Sequence, residues 1–141
     1  MGLDVSHDCW RGAYSAFNRW RAWLAEAAGY LFATDNPGAT VALDWGCIEG
    51  IIGDDLNGDW PAIPVRPDGK PDPLMILLAH SDCEGLIRWR HAGPLANRLE
   101  ELLPRLEGID GRDVGLMTDA TRSFIAGLRR AAEAREDVLF S

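Results

Sequence analysis

The sequence predicts an α+β fold in which three main helices pack on a small antiparallel sheet. Two features predict it: three stretches carry apolar residues at helical spacing, and several short stretches alternate apolar with polar residues. The helices are expected at about 12–28, 92–106 and 118–135, with a short one near 73–80. The strands are expected at 2–6, at 40–45, within 62–66 and at the C-terminus. A largely helical bundle with vestigial strands is the alternative.

The first helix is predicted by an apolar face on which Phe17, Trp20 and Leu24 recur at spacings of three and four. Gly29 follows the last periodic residue, and glycine is the usual residue just beyond a helix C-terminus. Arg21 falls largely on the other sides of this helix.

Proline- and glycine-rich stretches, which break regular structure, separate the first helix from the later ones. An Asn36-Pro37-Gly38 turn precedes the alternating strand at 40–45, and residues 53–73 contain five prolines, which predict a long surface loop. Pro73 can begin the short helix. The apolar face of the second main helix consists of Leu95, Leu99 and Leu102, and that of the third includes Phe124 and Leu128. Pro104 is expected to kink or end the second main helix.

The charge of the chain argues against one class of function. Its 141 residues include 14 Lys and Arg against 22 Asp and Glu, a formal net charge of −8. Binding along a nucleic-acid backbone draws on clustered basic residues, whereas those of this chain are scattered. An acidic surface of this kind keeps a protein soluble or docks on a basic partner.

The cysteines and the hydropathy pattern predict the cellular compartment of the protein. Cys9, Cys47 and Cys83 are odd in number and include no C-x-x-C pair, which argues against a disulfide framework and fits a reducing cytoplasm. No apolar run reaches the length of a membrane span, and the N-terminus does not resemble a secretory signal. We therefore expect one cytoplasmic domain with no membrane segment.

The segment from His80 to His91 resembles a calcium-binding helix–loop–helix. Asp82 and Glu84 occupy the third and fifth loop positions, and Gly85 occupies the sixth, where glycine permits a sharp turn. Histidines stand at positions one and twelve, where calcium requires oxygen ligands, so calcium should bind poorly. The alternative is a helical hairpin in which Gly85 takes a left-handed backbone and Asp82 caps the turn.

A second arrangement combines two similar segments, Ser6–Cys9 and His80–Cys83. If they meet in the fold, imidazole, carboxylate and thiolate groups could gather around zinc or another divalent metal. The alternatives are hydrogen-bonded histidines with buried cysteines, or a Cys83 nucleophile with a histidine as its base. The candidate metal ligands are His7, His80, Asp82, Glu84 and His91. No catalytic motif accompanies them, which favours a non-enzymatic role.

Loop residues provide candidates for contact with a partner. Tryptophans beside loops, such as Trp60 and Trp89, can anchor a partner through their amphipathic rings, although such rings also cover small cores. The acidic loop that begins at Asp54 has spaced carboxylates, and a solvated turn fits it better than a metal site. The candidate partner-binding residues are Trp60, Trp89, Asp54, Asp55 and Asp59.

Several blocks of sequence resemble a group of small, uncharacterised proteins from bacteriophages and prophage-bearing bacteria. The group is marked by an N-terminal MGLDVSH segment and an HSDC-[DE]-G motif. The matching blocks here are 1–7, 12–19, 80–85, 95–104 and 124–127. Leu86 departs from the group, which often has an acidic residue there. The resemblance implies a genomic setting and no particular reaction.

Three functions are consistent with these observations. The leading hypothesis is a non-enzymatic phage-type protein that binds a host protein and inhibits a bacterial defence system. The first alternative is a metal-binding domain or small metal-dependent enzyme that uses the His80–His91 segment. The second is a protein that sequesters a nucleotide or another small molecule, for which the tryptophan and arginine content would suit base stacking.

Overall fold

The computed structural model describes residues 2–33, 40–42, 62–64, 70–78, 80, 84–107 and 114–141. Its elements are, in chain order, β1 (Gly2–Val5), β2 (Trp10–Ala13), α1 (Tyr14–Ala27), β3 (Leu31–Ala33), β4 (Thr40–Ala42), α2 (Leu74–Leu78), β5 (Gly85–Ile87), α3 (Trp89–Glu107), α4 (Val114–Ala134) and β6 (Val138–Phe140). The predicted α+β fold with a small antiparallel sheet is confirmed.

The main sheet has the strand order β2-β1-β6-β5, and every neighbouring pair is antiparallel. The first and last strands of the chain therefore lie side by side in its centre. Asp4 and Ser141 exchange backbone hydrogen bonds of 3.0 and 2.9 Å, and Ser6 N–H donates to the carbonyl of Leu139 at 2.9 Å. Strands β3 and β4 form a separate two-stranded hairpin.

One face of the main sheet is buried beneath the helices. Val5 and Phe140 point inward, because successive side chains of a strand alternate between its faces. The ring of Phe17 on α1 lies 6.0 Å from that of Phe140, measured between centroids. Trp20 on α1 donates its indole N–H to Thr121 on α4 at 2.8 Å, which gives a buried polar atom a partner.

Each predicted helix corresponds to a helix among the described residues, and the predicted and observed helices differ at their ends. Helix α1 lies within the predicted range, and Gly29 beyond it has a φ of 81°, as predicted for that glycine. Helix α3 begins three residues earlier than predicted, at Trp89, and runs through Pro104 to Glu107, so that proline does not end it. Helix α4 begins at Val114, four residues before the predicted start.

The strands required more correction than the helices. Residues 62–64 are not in a strand, so that prediction is wrong for them, while residues 65–66 and 43–45 lie outside the described residues. Gly85 has a positive φ of 108°, as predicted. It begins strand β5, however, so the predicted helical hairpin around it is wrong. Most of the predicted loop at 53–73 lies outside the described residues.

Arg21 is fully buried, although the sequence pattern places it largely off the apolar face of the helix. Its guanidinium donates to the backbone carbonyls of Leu77, Leu78 and His80, at the C-terminal end of α2. It also lies 4.7 Å from the centroid of the Phe17 ring. The last carbonyls of a helix have no partner within it, and a cation interacts favourably with that end of the helix dipole. These acceptors allow the charge to be buried.

None of the helices that the structure describes is both long enough and apolar enough to cross a membrane.

Candidate functional site

The Ser6–Cys9 segment, expected to carry metal ligands, forms a tight turn between β1 and β2. Cys9 N–H donates to the carbonyl of Ser6 at 3.2 Å, and the two central residues, His7 and Asp8, have φ values of 62° and 58°. Left-handed conformations at both positions define the type I′ turn, whose twist suits a hairpin. Such backbone is sparsely populated by residues other than glycine, so surrounding contacts must hold it.

His7 holds this turn through both ring nitrogens. Nε2 lies 3.2 Å from a carboxylate oxygen of Glu136, and Nδ1 lies 2.8 Å from the hydroxyl of Ser6. Because a carboxylate only accepts, Nε2 donates to Glu136, and Nδ1 shares a second hydrogen bond with the Ser6 hydroxyl. Ser6 Oγ in turn accepts the backbone N–H of Leu139 at 2.8 Å. This row of hydrogen-bonded side chains, Glu136, His7 and Ser6, therefore joins the turn to the segment that leads into β6.

The Ser6 side chain has a structural reason to occupy this position. Its backbone carbonyl is already engaged by Cys9 within the turn, so its hydroxyl replaces the carbonyl as the acceptor for Leu139. Hydrolases also align a serine, a histidine and a carboxylate, but in them the serine bonds Nε2 and the carboxylate bonds Nδ1. In this chain the two nitrogens have the opposite partners. We therefore interpret the row as support for the sheet.

His80 lies at the edge of the main sheet. Its side chain is buried, its ring stacks on Phe140 at 3.7 Å between centroids, and Nε2–H donates to the carbonyl of Leu86 at 2.9 Å. The N–H and the carbonyl of Leu139 both bond to Ser6, on the β1 side of β6. Leu139 therefore makes no backbone hydrogen bond to Leu86, the residue opposite it on β5. The Leu86 carbonyl thus points to the outer edge of β5, where His80 binds it.

Two of the remaining candidate ligands, His91 and Glu84, lie among the described residues. His91 is buried on α3, where Arg90 Nε lies 3.5 Å from its Nε2, and Glu84 is exposed just before β5. Asp82 lies outside the described residues. In the described part of the chain, no group of three or more His, Cys, Asp or Glu side chains is placed to hold a metal ion.

Cys9 packs beneath the turn as a buried residue, while Cys47 and Cys83 lie outside the described residues. Burial raises the pKa of its thiol to about 12, with a smaller opposing effect from the Arg130 guanidinium and a further raising effect from Asp8. A thiol with this pKa is protonated at neutral pH, and the thiolate is the reactive form. Cys9 is therefore a packing residue and is inert as a nucleophile.

Two large hydrophobic side chains are exposed among the residues that the structure describes. Trp89, one of the predicted partner-binding residues, is 40% exposed, and Leu139 is 54% exposed. The other predicted contacts lie outside the described residues: Trp60, Asp54, Asp55 and Asp59. Exposed aromatic rings near arginine are frequent in the energetically important parts of interfaces.

Trp89 is fixed at the N-terminus of α3. Its backbone N–H donates to the carboxylate of Asp137 at 2.9 Å, and the same carboxylate pairs with Arg88 at 3.3 Å. Arg135 follows helix α4 with a φ of 56°, where glycine is usual, and the N–H groups of Arg135 and Glu136 donate to the last carbonyls of the helix at 3.2 and 3.0 Å. The guanidinium carbon of Arg135 lies 5.8 Å from the centroid of the Trp89 ring. An unfavourable backbone conformation thus accompanies a cation placed over an exposed ring.

Leu139 adds an apolar side chain on the outer face of the sheet. It lies opposite Leu86 of β5, which is partly buried, and the side chains of such a pair lie close together. Asp137 ties the start of α3 to the residue before β6, so these side chains belong to neighbouring segments. We call Leu86, Trp89 and Leu139 the β5–β6 patch.

Sequence reasoning found Trp89 but missed Leu139 and Arg135. The run Val138-Leu139-Phe140 is uniformly apolar, so its composition did not show which side chain is outside. The strand predicted at the C-terminus places the middle residue on the face opposite the other two, but it does not show which of the two faces is buried. No sequence signal pointed to a left-handed Arg135.

Neither a protein-family model, nor a curated protein, nor a solved structure matches this chain.

Proposed function

We propose that this protein is a non-enzymatic interaction protein that binds a host protein through the β5–β6 patch, in the cytoplasm of a bacterial cell. The observation that carries the proposal is the exposure of Trp89 and Leu139 on segments that Asp137 ties together. Burying these side chains against a partner would remove apolar surface from water. The resemblance to phage proteins supports a component of a bacterial defence system as the partner.

The placement of the histidines also favours binding over chemistry. His7 uses both ring nitrogens within the protein, and His80 donates one nitrogen to a sheet edge. Groups engaged in this way stabilise the fold. The left-handed backbone at Arg135 closes the C-terminal end of α4, and it also places a guanidinium over the Trp89 ring, a combination common at interface hot spots.

Affinity capture from the bacterial host, with the tagged chain as bait, tests the proposal. We expect one host protein to be retained in proportion to the bait and to be lost with Trp89→Ala, since truncating a hot-spot residue costs about 2 kcal/mol, or roughly 30-fold in affinity. Leu139→Ser should weaken capture less, by about fivefold. Circular dichroism confirms that both variants fold, because Trp89 is only 40% exposed and its truncation also removes packing.

The matched control is Arg122→Ala, which removes an exposed side chain of α4 whose ion pair is with Asp119 on the same helix. It should capture the same protein as the unmodified chain. Capture of nothing above background would contradict the proposal. Equal capture by the Trp89→Ala variant would contradict it as well, because the partner would then bind elsewhere.

A further inference from the structure

A groove lies apart from the β5–β6 patch, between the β1–β2 turn and the helices. It has a volume of about 390 Å³, within the range of roughly 300 to 1,000 Å³ typical of small-molecule sites. Residues of the turn and of β2 form one wall, Ala16 and Arg19 of α1 form another, and Met117, Ala120 and Ser123 of α4 form the third. Three rigid elements therefore shape it.

The inner part of the groove is apolar. Cys9 and Met117 are buried there, and Trp10 is partly buried with its ring stacked on that of Trp20 at 5.2 Å between centroids. The indole and the thioether are polarisable groups that pack well against rings. The Cys9 thiol remains protonated at neutral pH. The walls of the groove therefore favour the binding of an aromatic ring and not a reaction with it.

The mouth of the groove is polar and contains two arginines. Arg11, Arg19, Asp8 and Ser123 line it and are exposed, and they bring two guanidinium groups to the mouth of the groove in a chain whose net charge is −8. Arg11 donates to Asp4 through Nη2 at 2.9 Å. A guanidinium has five N–H donors, so this bond leaves Arg11 able to contact a ligand as well.

From the apolar walls and the two guanidinium groups we infer that the groove binds a small molecule with a ring system and one anionic group. The ring would pack against Trp10 and Met117, and a carboxylate, sulfonate or phosphate would contact Arg11 and Arg19. Charge-assisted hydrogen bonds of this kind are about twice as strong as neutral ones. This site is independent of the proposed function, since it shares no residue with the β5–β6 patch.

Fluorescence titration with the dye anilinonaphthalene sulfonate (ANS) tests the inference, with neutral phenyl-naphthylamine as the matched uncharged probe. ANS should bind saturably to one site. Arg19→Ala should weaken ANS binding about tenfold and leave the neutral probe nearly unchanged. Ala120→Phe, which places a ring in the groove, should abolish the binding of both probes.

Controls separate this groove from other surfaces. Arg129→Ala removes an arginine of α4 that pairs with Glu100 away from the groove, and it should bind ANS like the unmodified chain. Trp89→Ala should do so too, whatever its effect on a protein partner. The inference is overturned if no saturable binding occurs, if Arg19→Ala binds ANS normally, or if only Trp89→Ala loses the dye. Circular dichroism confirms that Ala120→Phe folds, and if it does not, Arg19→Ala combined with Arg11→Ala decides the matter.

Discussion

Gly127 is the residue at which the β1–β2 turn meets helix α4. A Cβ at this position would lie 2.8 Å from the carbonyl oxygen of His7 and closer still to the sulfur of Cys9. The missing side chain therefore lets the turn lie directly on the helix. Arg130, three residues further along, donates to the same His7 carbonyl. The close approach explains why a helix contains glycine there despite its poor helical propensity.

We predict that Gly127→Ala destabilises the protein by about 2 kcal/mol, because the new methyl group must displace the turn. Gly93 of α3 is the matched control, since a Cβ there has open space within 4 Å. Gly93→Ala should stabilise by about 0.5 to 1 kcal/mol through helix propensity alone. Urea unfolding measures both changes. A stabilising effect of Gly127→Ala would show that the turn does not press on the helix.

At the scale of single elements, the helices could be predicted because their signal is local. Phe17, Trp20 and Leu24 recur with the helical period within eight residues, and all three are buried as the pattern indicates. Strand β5 has no such signal. It contains three residues and exists because it pairs with β6, more than 50 positions away in the chain. Only the assembled sheet distinguishes it from a turn.

The role of His80 belongs to the same scale, because it completes the edge of β5. An unpaired strand edge presents backbone groups that can pair with another chain, and His80 satisfies one of them at Leu86. Its neighbours in the sequence suggest a metal ligand equally well. The two roles of His80, metal ligand or partner of a strand edge, can be distinguished only when the edge of β5 is known, and the sequence did not predict that strand.

We predict that His80→Leu costs about 2 kcal/mol of unfolding free energy, since the apolar replacement leaves the Leu86 carbonyl without this donor. His80→Gln keeps an N–H that can reach the carbonyl and should cost less. Comparing the two separates the hydrogen bond from the packing against Phe140. Urea unfolding gives the energies, and sedimentation detects edge-to-edge association. Equal stability of the two variants would show that the bond is not important.

At the scale of the whole molecule, residues distant in sequence decide the architecture. The first strand pairs with the last, and buried Arg21 binds the carbonyl end of α2. Neither contact leaves a periodic pattern in the sequence. The same holds for the candidate surface. The residue type at Trp89 indicated a contact residue, whereas the cation over its ring comes from Arg135, which follows helix α4 and is distant in the sequence.

Asp72 shows how one buried carboxylate joins three parts of the molecule. It accepts the hydroxyl of Tyr30 beyond α1 at 2.5 Å and the backbone N–H of Leu74 at the start of α2 at 2.9 Å. Arg98 of α3 donates to both of its oxygens, at 3.1 and 3.3 Å. The Asp72 side chain is only 3% exposed and that of Arg98 is 19% exposed. The bonds are therefore shielded from water.

We predict that Asp72→Asn lowers the unfolding free energy by about 2 to 4 kcal/mol, because it leaves the partly buried Arg98 charge without this carboxylate. The matched control is Glu101→Gln. Glu101 bonds the same arginine at 3.2 Å, but its side chain is 66% exposed. Water replaces an exposed partner readily, so the control should change the free energy by about 0.5 kcal/mol or less. Urea unfolding of both variants compares a buried with an exposed partner of one guanidinium. Equal losses would mean that burial of Asp72 does not determine the strength of the junction.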